Sequence, residues 1–83
     1  MIFLSVQCRM ARAALGWGVR ELAAEAKVSI DTVARFERGE ELKTRTVEAL
    51  QRTLEAAGVE FIDENGGGPG VRLRKSENPK PRK

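Results

Sequence analysis

Histidine is absent from the 83 residues and Cys8 is the single cysteine. Imidazole or multi-thiolate metal sites, and Ser–His or Cys–His nucleophile pairs, therefore have no residues to build them. Carboxylates are plentiful, but they fall at helix-surface spacing with Arg and Lys between them. That is the pattern of a solvated face rather than of an acid–base pair. Catalysis is not expected, and neither is a cofactor. Gly66-Gly67-Gly68-Pro69-Gly70 could cradle an anion with backbone amides. It lacks the Gly-Lys-Ser/Thr ending and no helix follows it, so it reads as a hairpin loop. What remains is non-covalent recognition. Ser29, Arg35, Arg38, Lys43 and Arg45 crowd hydroxyl, guanidinium and ammonium donors into one stretch, and such donors hold anionic oxygens well.

Composition bounds what can position these groups. At 41% hydrophobic and 33% charged residues, the chain reads as one globular domain that buries roughly 60% of its unfolded surface. A second copy would supply burial that so small a domain lacks. No apolar run approaches the roughly 20 residues of a membrane span. Met1-Ile2-Phe3-Leu4 is too short for a signal-peptide core and has no basic leader. The lone Cys8 agrees with a reducing compartment, and the expectation is a cytoplasmic protein. The net charge of +3 is unevenly spread. Residues 1–63 hold nine Lys/Arg against ten Asp/Glu, whereas residues 64–83 hold six against two. Attraction for a polyanion must then come from a local patch and the tail.

Periodicity predicts four helices. The first is expected from a capping Ser5 to about Leu15, with Met10, Ala13, Ala14 and Trp17 as its apolar stripe and Arg9 and Arg12 facing solvent. The second spans about Val19 to Ala26 with Leu22, Ala23 and Ala26 inward. Lys27 then takes a turn position that favours a positive backbone angle, at a cost of roughly 1 kcal/mol relative to glycine. The third runs from about Ile30 to Arg38, capped by Ser29 and released by Gly39. Val28, Val33 and Phe36 face inward. Ile30, Asp31, Thr32, Ala34, Arg35 and Arg38 are left outside. The fourth is expected to start after Thr44 and to reach Ala57, with Val47, Leu50, Leu54 and Ala57 at helical steps, and Gly58 stops it. Val59–Ile62 and Val71–Arg74 read as the strands of a hairpin. Residues 76–83 read as disordered.

Two short helices joined by a tight turn form a helix-turn-helix, whose second helix can enter the DNA major groove. Residues 16–39 also resemble the Cro/phage-repressor-type (XRE) helix-turn-helix family. That family's pattern runs Leu-Gly-Trp-Ser-Gln-x-x-Leu-Ala, then Ala-Gly-Val-Ser-x-x-Thr-Ile, then Phe-Glu-x-Gly. The likeness covers about residues 5–58. Gly18 stands where the family has a capping serine, Val19 where it has a phosphate-touching glutamine, and Lys27 where it has the turn glycine. The resemblance implies a mainly α fold with a four-helix lambda-repressor-like domain over 1–58; beyond it the residues themselves read as a β-hairpin over 59–74 and a basic tail over 75–83. The resemblance also places Ile30, Asp31, Thr32, Ala34 and Arg35 where the family meets bases or neighbouring phosphates.

Each of these residue types suits the place. A guanidinium such as that of Arg35 can grip guanine O6 and N7 at once, and Ile30 or Ala34 can pack on a thymine methyl. Asp31 either accepts from cytosine N4 or pairs with Arg35 four residues on. Ser29, Arg38, Lys43 and Arg45 lie at the rims and suit phosphate contacts, which fix position without reading sequence. The expected function is transcriptional regulation, by repression, through sequence-specific binding of double-stranded DNA. The expected partner is a palindromic operator, bound as a homodimer formed through the hairpin and fourth helix. A different class stays open. Val19, Lys27, Asp31 and the slightly acidic body also fit a protein-interaction module, an antitoxin or anti-activator, that keeps the fold without reading DNA.

Overall fold

A computed structural model describes residues 2–75. Its elements are α1 (Ser5–Leu15), α2 (Val19–Ala26), α3 (Ile30–Glu37), α4 (Thr44–Ala56), β1 (Val59–Ile62) and β2 (Gly70–Leu73). This is the mainly helical, four-helix-plus-hairpin architecture that the sequence predicts. The disorder expected of residues 76–83 lies outside the described residues.

The first three helices end by one device. After α1, Gly16 (φ 71°) bonds back to Ala13 O, and Trp17 N–H bonds to Arg12 O at 2.9 Å. After α2, Lys27 occupies the same left-handed position (φ 61°, ψ 44°), and Val28 N–H reaches Ala23 O at 3.0 Å. After α3, Gly39 (φ 94°) bonds to Phe36 O, and Glu40 N–H reaches Arg35 O at 3.0 Å. These paired bonds are the Schellman arrangement, which satisfies carbonyls a helix end leaves open. Lys27 is the one non-glycine with positive φ among the described residues.

The starts of the first three helices use side chains. Ser29 Oγ accepts from Thr32 N–H at 3.0 Å and caps α3 as expected. Ser5 does not cap α1; Leu4 holds that position, and its N–H donates to Gln7 Oε1 at 3.0 Å. The third helical residue thus reaches back in place of a capping hydroxyl. Glu21 does the same for Gly18 at 2.8 Å.

Phe3, Cys8, Ala11, Leu22, Ala23, Val33, Phe36, Leu50, Leu54 and Val59 form the core. Phe3 joins two parts of it, stacking on Phe36 at 5.3 Å and meeting Phe61 edge-on at 4.9 Å. The buried face of α1 differs from the predicted stripe. Gln7, Cys8 and Ala11 are buried, while Ala13 and Ala14 are exposed. A fully buried glutamine interrupts the hydrophobic pattern on the true face, so the eye settles on its neighbour. The amide is satisfied: Gln7 Nε2 donates to Ile62 O and Gly70 O, each at 3.1 Å. Those carbonyls close the loop end of the hairpin, where Ile62 pairs with Gly70. Gln7 thereby ties α1 to an antiparallel pair that would be marginal alone.

Replacing Lys27 by glycine removes the left-handed strain. Lys27→Gly is expected to raise stability by about 1 kcal/mol, or roughly 4–8 °C in Tm for a domain of this size. Thermal unfolding followed by circular dichroism checks this, and an unchanged or lower Tm contradicts it.

Candidate nucleic-acid interface

The eight residues of α3 are too few to hold a helix in water without tertiary support. Val33 and Phe36 anchor one side in the core. The other anchor is polar. Glu37 receives two parallel bonds from Arg12, Nε to Oε2 and Nη2 to Oε1, both at 2.8 Å. The Arg12 and Glu37 side chains are only 19% and 8% exposed. Arg12 Nη1 also donates to Trp17 O, and Arg9 Nη1 donates to Glu37 O, so the carbonyl end of α3 faces two guanidinium groups. Arg12 therefore does not face solvent as expected; it is the α1 half of a latch on α3. No local spacing signals this, because the partners lie 25 residues apart.

Burial pushes the Glu37 carboxyl up, but Arg12, the Cys8 thiol and the charge of Arg9 outweigh it and hold the group below the usual carboxylate range. The same burial, followed by the Glu37 carboxylate, pushes the Cys8 thiol far above its ordinary value. Cys8 is thus a fully buried thiol held in its neutral form.

With Val33, Phe36 and Glu37 turned inward, α3 presents a defined outer face. Ile30 is 45% exposed on this face. Asp31 and Arg38 are exposed, and Thr32, Ala34 and Arg35 are half-buried. Thr32 and Arg35 line a groove with Glu41, Leu42, Lys43 and Thr46, so the outer face of α3 meets the start of α4. Lys43 is the N-cap residue of α4 and contributes no side-chain cap; Arg45 stands exposed in the first turn. Open amides at a helix start and two cations beside them suit an anionic oxygen.

Pairing on this face departs from expectation at Arg35. No ion pair joins Asp31 to Arg35 among the described residues. Arg35 Nε instead donates to Glu40 Oε1 at 2.9 Å. Arg38 Nη2 and Nε reach Glu40 Oε2 at 3.0 and 3.3 Å. Arg35 first, and then Arg38, hold the Glu40 carboxyl below its usual range. Ser29 is committed to capping, its hydroxyl lying 2.8 Å from that of Thr32. Sequence reading passed over Glu40; the usable signal was an acid directly behind the stop glycine, two and five residues from two arginines.

The geometry is that of two helices in a fixed turn with an exposed, capped second helix. The family model described as a helix-turn-helix domain matches residues 4–61, from the N-cap of α1 into β1. The chain belongs to this helix-turn-helix family. Membership assigns it to DNA-binding regulators. A comparison with curated proteins found no match. In this helix-turn-helix protein no helix among the described residues is long and apolar enough to cross a membrane.

The latch has a measurable signature. Arg12→Ala strands a carboxylate in the core and is expected to cost about 2 kcal/mol, discounted from a fully buried pair because Arg12 is partly exposed. Glu37 has a depressed folded value, so its contribution is present above the unfolded carboxyl value of 4.5 and lost as pH falls below it. Thermal melts from neutral pH down through about pH 4 should show a steeper acid-side loss in the wild type than in Arg12→Ala. Parallel acid profiles contradict the assignment.

Proposed function

We propose that this protein is a sequence-specific regulator of the Cro/phage-repressor (XRE) type, acting in the cytoplasm as a repressor. It reads the major groove of double-stranded DNA with the helix over 29–38. The observation that carries the reading is the division of α3. Val33, Phe36 and Glu37 are fixed inward, whereas Ile30, Asp31, Thr32, Ala34 and Arg35 lie on the outward side beside the start of α4. In the docked complex Arg35 donates to guanine, Ile30 and Ala34 pack against methyl groups or sugar, and Asp31 and Thr32 meet neighbouring base edges. Arg38, Lys43 and Arg45 meet phosphates, with Ser29 fixing the entry of the helix. Repression follows from occupancy: a protein seated in the groove excludes polymerase from the same DNA. No catalytic step and no cofactor enters this mechanism.

A homodimer on a palindromic operator completes it. Among the described residues no third strand pairs with either edge of the two-stranded sheet, and Leu73 on β2 is 50% exposed. A second copy covering that edge through the hairpin and α4 would hide backbone groups that natural sheets seldom leave bare. Twofold symmetry would then set two copies of α3 about 34 Å apart, one turn of DNA. Sedimentation at tens of micromolar should give a dimer, with or without operator; a pure monomer in both conditions contradicts it.

Asp31, Glu40 and Glu41 around the same face favour one other reading, a protein-interaction module such as an antitoxin or anti-activator. Binding data separate the two. Arg35→Ala is expected to cost about 1–3 kcal/mol on the preferred sequence and to relax selection at one base pair, while Arg38→Ala weakens all sequences alike and lowers the salt slope by about one. Uniform loss from Arg35→Ala, or selective loss from Arg38→Ala, contradicts the respective role. Equal affinity of the wild type for all duplexes supports the interaction module.

A further inference from the structure

Glu40 is an acid set among groups that a DNA reader would turn toward a polyanion. Net charge gives no reason to place it there, since every phosphate nearby repels it. Its position is nonetheless over-determined. The Schellman turn at Gly39 sends the Glu40 N–H to Arg35 O at 3.0 Å, and the Glu40 side chain then returns to Arg35 Nε at 2.9 Å. One residue is thus tied twice to another, once through the backbone and once through the side chain. The backbone tie fixes where the two side chains begin, which lowers the ordering cost that makes exposed ion pairs weak. Glu40 is 44% exposed and Arg35 43%, so the contact forms at the surface without being buried. With Nε occupied, the two terminal nitrogens of Arg35 have no partner among the described residues. Those two are a matched donor pair for guanine O6 and N7.

We propose that Glu40 is a specificity-determining positioning residue: it clamps Arg35 by Nε so that only the terminal edge of the guanidinium can meet a base. The second carboxylate oxygen holds Arg38, which tempers attraction for phosphates in any sequence. Glu40 exchanges raw affinity for discrimination, acting through two arginines and touching no base. The inference rests on α3 being the reading helix.

The test uses the full chain, the duplex that it enriches from a random pool, and a random-sequence duplex. Glu40→Ala should bind the random duplex several-fold tighter, with a salt slope steeper by about one. It should also lower the ratio of specific to random affinity about tenfold, with the loss confined to the base pair that Arg35→Ala affects. Glu40→Gln keeps an oxygen for Nε without the charge, so it should raise random binding while retaining most of the base selectivity. In an Arg35→Ala background, Glu40→Ala should leave the ratio unchanged. A ratio untouched by Glu40→Ala, where Arg35→Ala does lower it, overturns the clamp and leaves α3 as the reading helix. A ratio untouched by Arg35→Ala, or a wild type that prefers no sequence, overturns both. Unaltered thermal unfolding of the Glu40 variants would locate the effect at the interface.

Discussion

The bidentate pair between Arg12 and Glu37 is the contact on which the rest of this small domain depends. An eight-residue helix has almost no stability of its own, and α3 must nevertheless stand at a fixed angle with one face outward. Val33 and Phe36 supply adhesion, but apolar contacts alone permit sliding and rotation. Two parallel bonds at 2.8 Å from one guanidinium permit neither. Arg9 reaches across to the Glu37 carbonyl as well. The latch also fixes α1 against the turn, because the same guanidinium holds Trp17 O.

A second constraint follows from charge. Over residues 1–63 the acids outnumber the bases, so the body offers no broad field to draw in DNA. Around α3 the cations Arg35 and Arg38 are partnered by one carboxylate rather than left free. A surface arranged in this way gains little from non-specific attraction, and under the proposed reading its affinity comes from contacts that the right sequence completes.

The sequence made most of the fold legible and less of the interface. Ser29, Gly16, Gly39 and Gly58 mark ends through chemistry that acts within a few residues, and even the strained Lys27 could be placed. Leu22, Ala23, Val33, Leu50 and Leu54 follow from periodicity. The misreadings share a different cause. Gln7 and Arg12 are polar residues on buried faces, so hydropathy assigns them to solvent, and their partners lie far away in the chain. That error moved the stripe of α1 by a residue. Asp31 offered Arg35 a partner at the standard helical spacing, but the Schellman turn brings Glu40 to the guanidinium instead. Local rules place ends and faces; they do not choose among competing acids.

The most direct test of α3 as a reading helix is selection of DNA from a random pool by the purified protein, with the retained duplexes sequenced. The account predicts an enriched palindrome whose half-sites repeat at about one helical turn, each containing a guanine that disappears from the motif when Arg35 is replaced. Retention that is weak, salt-sensitive and without enrichment would contradict it and leave the helix-turn-helix as a scaffold for a protein partner.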